Sequence, residues 1–153
     1  MNEKYKRPES VLVVVYAETG EVLLLKRADH PSFWQSVTGA MQWDEKDPRA
    51  TAVRELREET GLIAAPADLQ DLGLVQRYEI FPQWRYRYAP DVIENTERAY
   101  ALRLPASVQL STHPEHDEYA WFDVPTALAR ATSWTDRAAI ERVADTIGKI
   151  TVR

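Results

Sequence analysis

The chain has 153 residues, of which 44% are hydrophobic and 28% charged, with a formal net charge of −5 and no cysteine. That length suits a single domain over residues 1–153, large enough to bury about two-thirds of its unfolded surface around one core. The acidic balance argues against nucleic acid as a main partner, although a small polyphosphate stays open because bound metal and a few local cations can invert the field in one cleft.

The longest apolar run, Val11 to Ala17, is strand-sized and far too short to cross a bilayer, and no small-residue cleavage site follows it. The absence of cysteine removes disulfides, thiolate metal sites and cysteine nucleophiles, and is compatible with a reducing compartment. The expectation is a cytoplasmic protein with no membrane partner.

In chain order, Ser10 to Tyr16 and Glu21 to Lys26 are β-branched and aliphatic runs separated by the turn Glu18-Thr19-Gly20, which predicts a buried hairpin. Lys6 and Arg27 sit just outside these runs, where a long cation reaches a phosphate or stays solvated. After the loop His30-Pro31-Ser32, the segment Phe33 to Gly39 reads as one short strand. A break at Ala64 to Asp68 precedes a strand over Leu69 to Phe81, with Gly73 as a bulge or turn. Trp84-Arg85-Tyr86-Arg87-Tyr88 alternates aromatic with cationic residues. Such alternation suits stacking on single-stranded nucleic acid, but in an acidic chain it reads more simply as a strand with one wet face. Thr96 to Leu104 and Glu118 to Phe122 are further strands, with polar Ser111 to Asp117 as a loop at the sheet end. Helices follow from Asp123-Val124-Pro125 through Arg130, and over Ser133 to Ile147. This order predicts an α/β fold, a mixed β-sheet covered by helices on both faces.

The densest signal lies from Gly39 to Leu62, GAMQWDEKDPRATAVRELREETGL. Asp47 reads as a helix N-cap, Pro48 as the first helical residue and Gly61 as the glycine past the last turn. On that helix Glu55, Glu58 and Glu59 share one arc, while Ala52, Val53 and Leu56 form an adjacent apolar face. From the acids alone, the arc reads either as an oxygen-rich site for a hard cation or as a solvated face with Arg54 and Arg57 as local partners.

Glycine, an acid six positions on, and then Arg-Glu-hydrophobe-x-Glu-Glu-x-Gly-hydrophobe together resemble the Nudix box of diphosphate-cleaving hydrolases. The family pattern sets seven residues between its first glutamate and the Arg-Glu pair, whereas eight, Lys46 to Val53, separate Glu45 from Arg54. A one-residue bulge before Asp47 would let Glu45 or Asp44 reach Arg54. The resemblance implies a Nudix-type α/β/α sandwich with the box helix on one face. It also implies metal binding by Glu55, Glu58 and Glu59, with magnesium as the cation and manganese as a substitute. The cation would neutralise diphosphate charge and help position water for attack on phosphorus.

Residues outside the box narrow the resemblance. Tyr5-Lys6-Arg7-Pro8, Phe33 to Gly39, Arg87-Tyr88-Ala89-Pro90, Asn95-Thr96-Glu97 and Ser133-Trp134 look like the bacterial branch that removes pyrophosphate from dihydroneopterin triphosphate in folate biosynthesis, leaving the monophosphate. That branch implies Glu115 as a further metal ligand or water-orienting base. It implies a substrate site from Lys6, Arg27, Thr38, Tyr78, Phe81, His116 and Ser133. Read alone, the stretch around Glu115 is a solvated acidic turn and His116 an exposed loop histidine. A broader nucleoside triphosphate pyrophosphohydrolase would use the same box. A non-catalytic ligand sensor on this fold would be expected to lose box carboxylates, which this chain retains.

Overall fold

The computed structural model describes residues 4–30, 32–110 and 116–151, and for residues 116–117 and 148–151 it describes the backbone alone. Its centre is β1 (Glu9–Ala17), a strand buried on both faces because every second residue meets a different helical layer. Leu12, Val14 and Tyr16 pack with Ala139, Ile140 and Val143 of α3 (Trp134–Thr151) and Ala127 of α2 (Val124–Arg130). Val11, Val13 and Val15 pack with Ala52 and Leu56 of α1 (Pro48–Thr60). A run of β-branched residues with no polar interruption is what a strand covered on both sides requires. The α/β/α arrangement with the box helix on one face follows.

The seven-stranded sheet is mixed. β1 runs antiparallel to β2 (Val22–Arg27) and parallel to β6 (Glu94–Leu104), which in turn pairs antiparallel with β5 (Gln70–Glu79). Register slips between Asp71 and Val75, where Gly73 takes a φ of 69°, so the bulge falls at the expected glycine. On the outer side of β2 lies β7 (His116–Phe122). The polar loop expected over Ser111 to Asp117 is outside the described residues as far as 115, and its last two residues already belong to β7.

Phe33 to Gly39 forms two strands rather than the single one expected. β3 (Trp34–Gln35) pairs with β2 at Leu25 and Lys26, and β4 (Val37–Ala40) pairs with β1 from Ser10 to Val13. β1 and β2 are in register at Tyr16 and Val22, and the segment 34–40 fills the space where they diverge. At the crossing point Ser36 donates its backbone N–H and its Oγ to the buried Asp136 carboxylate, at 2.6 and 2.7 Å. The break is therefore fixed by a residue in the first turn of α3.

A second correction concerns Trp84 to Tyr88. Residues Pro82–Arg87 form a 3-10 turn, not a strand. Proline pre-sets the opening of such a turn. Trp84 then swings inward to meet Phe33 and Phe81 edge-on, with ring centroids 5.5 and 5.4 Å away. Apolar contact decides the conformation here, against the alternating pattern.

Candidate active site

The box helix begins and ends where its sequence dictates. Asp47 accepts a hydrogen bond from the Arg49 N–H at 2.9 Å, Pro48 opens the first turn, and Gly61 adopts a φ of 78° with its N–H on the Arg57 carbonyl. Leu56, fully buried, anchors the helix to the sheet, a burial worth roughly 1.5–3 kcal/mol.

Arg54 is the strut of the site. Its Nε and Nη2 donate to the two carboxylate oxygens of Glu45 at 3.0 and 2.9 Å, Nη2 also reaches the Ala40 carbonyl at 3.1 Å, and Nη1 donates to Glu55 and Glu58 at 2.8 and 3.2 Å. The extra residue in the box is thus absorbed as expected, with Glu45 and not Asp44 as the partner. Glu45 also accepts from the Gln42 N–H at 2.7 Å, while Arg7 donates to the Gln42 and Glu45 carbonyls, so the enlarged loop is tied at several points. Lys46 stays exposed. The Arg54 guanidinium holds the Glu45 carboxyl below its usual value.

Glu55 and Glu59 lie together against the wall of the cleft. Glu59 is 4% exposed, and burial pushes the Glu55 carboxyl upward, with Glu59 and Arg54 opposing. Gly39 makes the approach possible: a Cβ there would fall on the Glu55 carboxyl carbon. Glu58 is more exposed and leans toward Arg54. Among the described residues no three acid or imidazole side chains converge as a ready cation site. Arg54 contacts Glu58 as well as Glu55. Two close carboxyls, set beneath a glycine and with Glu58 on the same arc of the helix, fit a hard cation that takes one or two carboxylates and completes its shell with other oxygens.

Two connected lobes form the cleft. The polar one, about 520 Å³, carries the acids opposite Lys6, Arg27 and Arg87. The other, about 250 Å³, is an aromatic chamber walled by Phe33, Phe81, Trp84 and Tyr88. Lys6, Arg27, Gln35, Thr38, Gly39 and Arg87 border both. The acids come from the helix on one face of the sheet, and the chamber reaches Leu12 and Thr135 on the other. The lobes therefore meet where the segment 34–40 fills the divergence of β1 and β2.

Of the sequence-predicted substrate residues, Lys6, Arg27 and Thr38 sit at the junction of the lobes, while Tyr78, Phe81 and Ser133 line the chamber. Arg27 is held by a two-point pair with Asp29, both contacts 2.8 Å, and its guanidinium lies 4.8 Å from the Trp84 ring centre. Ser133 Oγ accepts from the Asp136 N–H at 3.2 Å. His116 pairs with Arg27 in the β2 and β7 ladder, and its side chain is outside the described portion. Glu115 lies outside the described residues altogether. Sequence reasoning missed Trp84, Arg87 and Glu97 as cleft residues. The aromatic and cationic alternation from Trp84 was a signal for the first two, and Arg87 and Glu97 also stand in segments that carry the branch resemblance.

The sequence matches the NUDIX domain family over residues 6–143. It is 46% identical over 141 residues to the dihydroneopterin triphosphate diphosphatase of Escherichia coli (strain K12), covering 90% of this chain and 93% of that protein. It is 37% identical over 142 residues to the enzyme of the same name from Haemophilus influenzae, covering 91% and 89%. A solved structure of the E. coli dihydroneopterin triphosphate pyrophosphohydrolase superposes with a TM-score of 0.85 at 43% identity, over 93% of this chain and 98% of that one. The chain belongs to the Nudix family and is a Nudix hydrolase. Hydrolases of this family generally use divalent metals and act on small phosphate compounds. Among the described residues no helix is long and apolar enough to cross a membrane.

Proposed function

We propose that this protein hydrolyses dihydroneopterin triphosphate to dihydroneopterin monophosphate and pyrophosphate, using magnesium, in the cytoplasm and as a step of folate biosynthesis. The observation that carries the reading is the continuity of an aromatic chamber with a cation-bordered, acid-lined recess, in a chain 46% identical to a dihydroneopterin triphosphate diphosphatase. A flat ring fits against the cluster of Phe33, Phe81 and Trp84, and a triphosphate extends from it past Lys6 and Arg27 toward the box helix. Thr38 and Ser133 supply hydroxyls, Tyr78 adds ring surface, and His116 enters beside Arg27.

Glu55 and Glu59, with Glu58 and Glu115 as further ligands, would hold a divalent ion, which would supply charge neutralisation on the diphosphate and acidity to water. Arg54 keeps the acids in place through its contacts to Glu45, Glu55 and Glu58. Lys6, Arg27 and Arg87 bind phosphate oxygens and align the α–β bridge with the acids. The oxygen of water forms a new bond to one of the two phosphorus atoms of that bridge, the bond from that phosphorus to the bridging oxygen breaks so that pyrophosphate and the monophosphate part, and a nearby carboxylate, Glu59 or Glu115, takes the proton from the water.

The test is a product assay with dihydroneopterin triphosphate and magnesium, run in competition with ordinary nucleoside triphosphates. The expected result is stoichiometric pyrophosphate and a clear preference for the pterin. Release of single phosphate, or equal use of all triphosphates, refutes the substrate assignment and favours the broader nucleotide reading.

A further inference from the structure

The aromatic chamber ends on two polar residues of β6 that the reading above does not use. Asn95 and Glu97 stand two apart on one strand, so they face the same way, and they are only 1% and 3% exposed. Both line the chamber. One end of the Asn95 amide is occupied, since Nδ2 donates to Ser10 Oγ at 2.7 Å and to the Tyr78 hydroxyl at 3.1 Å. Its Oδ1 is buried with no hydrogen-bond partner among the described residues, and Glu97 Oε1 is in the same condition, although the hydroxyls of Ser10 and Thr135 flank that carboxyl. Neighbouring Asp136, fully buried, differs: both of its oxygens are held by Ser36. A buried acceptor without a donor carries a desolvation cost that a donor brought by a ligand or a water relieves.

Two such acceptors at the end of a slot walled by aromatic rings suit a flat heterocycle with adjacent N–H donors along one edge. A 2-amino-4-oxopyrimidine ring has that edge, its ring N–H and its exocyclic amino group side by side and spaced to match a carboxylate's two oxygens. Pterins carry it and so does guanine; adenine, cytosine and uracil do not. We infer that Glu97, supported by Asn95, is the specificity-determining residue for the ring, its carboxylate accepting from the ring N–H and the 2-amino group of a pterin. The assignment rests on the substrate reading above and extends it from the phosphates to the base.

Steady-state kinetics of the wild type and Glu97→Gln with dihydroneopterin triphosphate, GTP and ATP test it. An amide offers one acceptor and one donor to an edge of two donors, so the ratio of kcat/KM for the pterin triphosphate over ATP is expected to fall on the order of 100-fold. A second measurement needs no variant. Wild-type protein should bind 7,8-dihydroneopterin on the order of 100-fold more tightly than the corresponding lumazine, which carries an oxo group in place of the 2-amino group. An unchanged ratio in a folded variant, or equal binding of pterin and lumazine, overturns the assignment. The two readings fail differently. Good turnover of the pterin triphosphate with indifference to Glu97→Gln removes Glu97 alone. No turnover of it, but a preference for GTP over ATP that Glu97→Gln abolishes, removes the pterin substrate and keeps the role of Glu97. A wild type that favours neither pterin nor guanine overturns both.

Discussion

Replacing Glu97 by Gln should alter how stability depends on pH, in the absence of any substrate. Burial, with the Asp136 charge adding to it, raises the Glu97 carboxyl from 4.5 to about 7. A folded-state value above the unfolded one means that the native state binds more protons between the two. Stability is therefore full below about pH 4.5 and is lost as pH rises through about 7. At 1.36 kcal/mol per pH unit, the interval corresponds to about 3 kcal/mol. Glutamine has no proton to lose. Relative to wild type, Glu97→Gln should gain about 3 kcal/mol between pH 4.5 and 8, or roughly 6–12 °C in melting temperature for a chain of this size. Asp136, pushed up to about 6 by its own burial, remains in both proteins, and its slope cancels to first order in the difference. Melting curves of both proteins across that range measure the effect. Parallel curves would show that Glu97 is ionised or solvated throughout, and would refute the burial argument.

Three further outcomes are expected from the box and the cation wall. Glu59→Gln keeps size and removes charge from a carboxyl that is 4% exposed, so kcat should fall 100-fold or more, about 2.7 kcal/mol, with little change in melting. Normal turnover at limiting magnesium would exclude Glu59 as a ligand. Glu45→Ala removes the two-point partner of Arg54 and should cost about 1–3 kcal/mol, whereas Lys46→Ala, on an exposed side chain, should stay within about 0.5 kcal/mol. Equal melting shifts for the two variants would contradict the register of this loop. Arg27→Ala should raise KM for the triphosphate about 10-fold, or 1.4 kcal/mol, with a smaller effect on kcat and none on magnesium affinity, as kinetics across magnesium concentrations would show.

The helix from Pro48 to Thr60 was legible because its stop and start signals are local: the cap, the proline and the glycine each act within one turn. Counting residues was enough to expose the loop before Asp47 and to name Glu45 or Asp44 as the partner of Arg54, a choice that the contacts of Glu45 decide. The break at Ser36 was not legible, since its cause, Asp136, lies 100 residues further on. Trp84 to Tyr88 misled because its alternation does not mark one face: Trp84 and Tyr88 turn inward from the 3-10 turn, while Tyr86 between them is 74% exposed. Glu97 was hidden by its charge, which suggests a wet surface. The pattern Asn95, Glu97, Ala99, Ala101 does place it on a buried strand face, but only once the helix covering that face is known.

The divergence of β1 and β2 gives the cleft a mechanical property. Gln35, one residue before Ser36, and Thr38, two residues after it, both border the lobes, yet the first belongs to a strand on β2 and the second to a strand on β1. The width between the arginine-bearing wall and the wall under the box helix is thus gauged by one covalent span of chain, clamped at its middle by a serine and an aspartate that touch no phosphate. Ser36→Ala loosens that clamp without altering any group in the recess. Its signature would be a poorer grip on long substrates that must contact both walls at once, while short ones such as pyrophosphate esters lodged against the acids alone would not register the change.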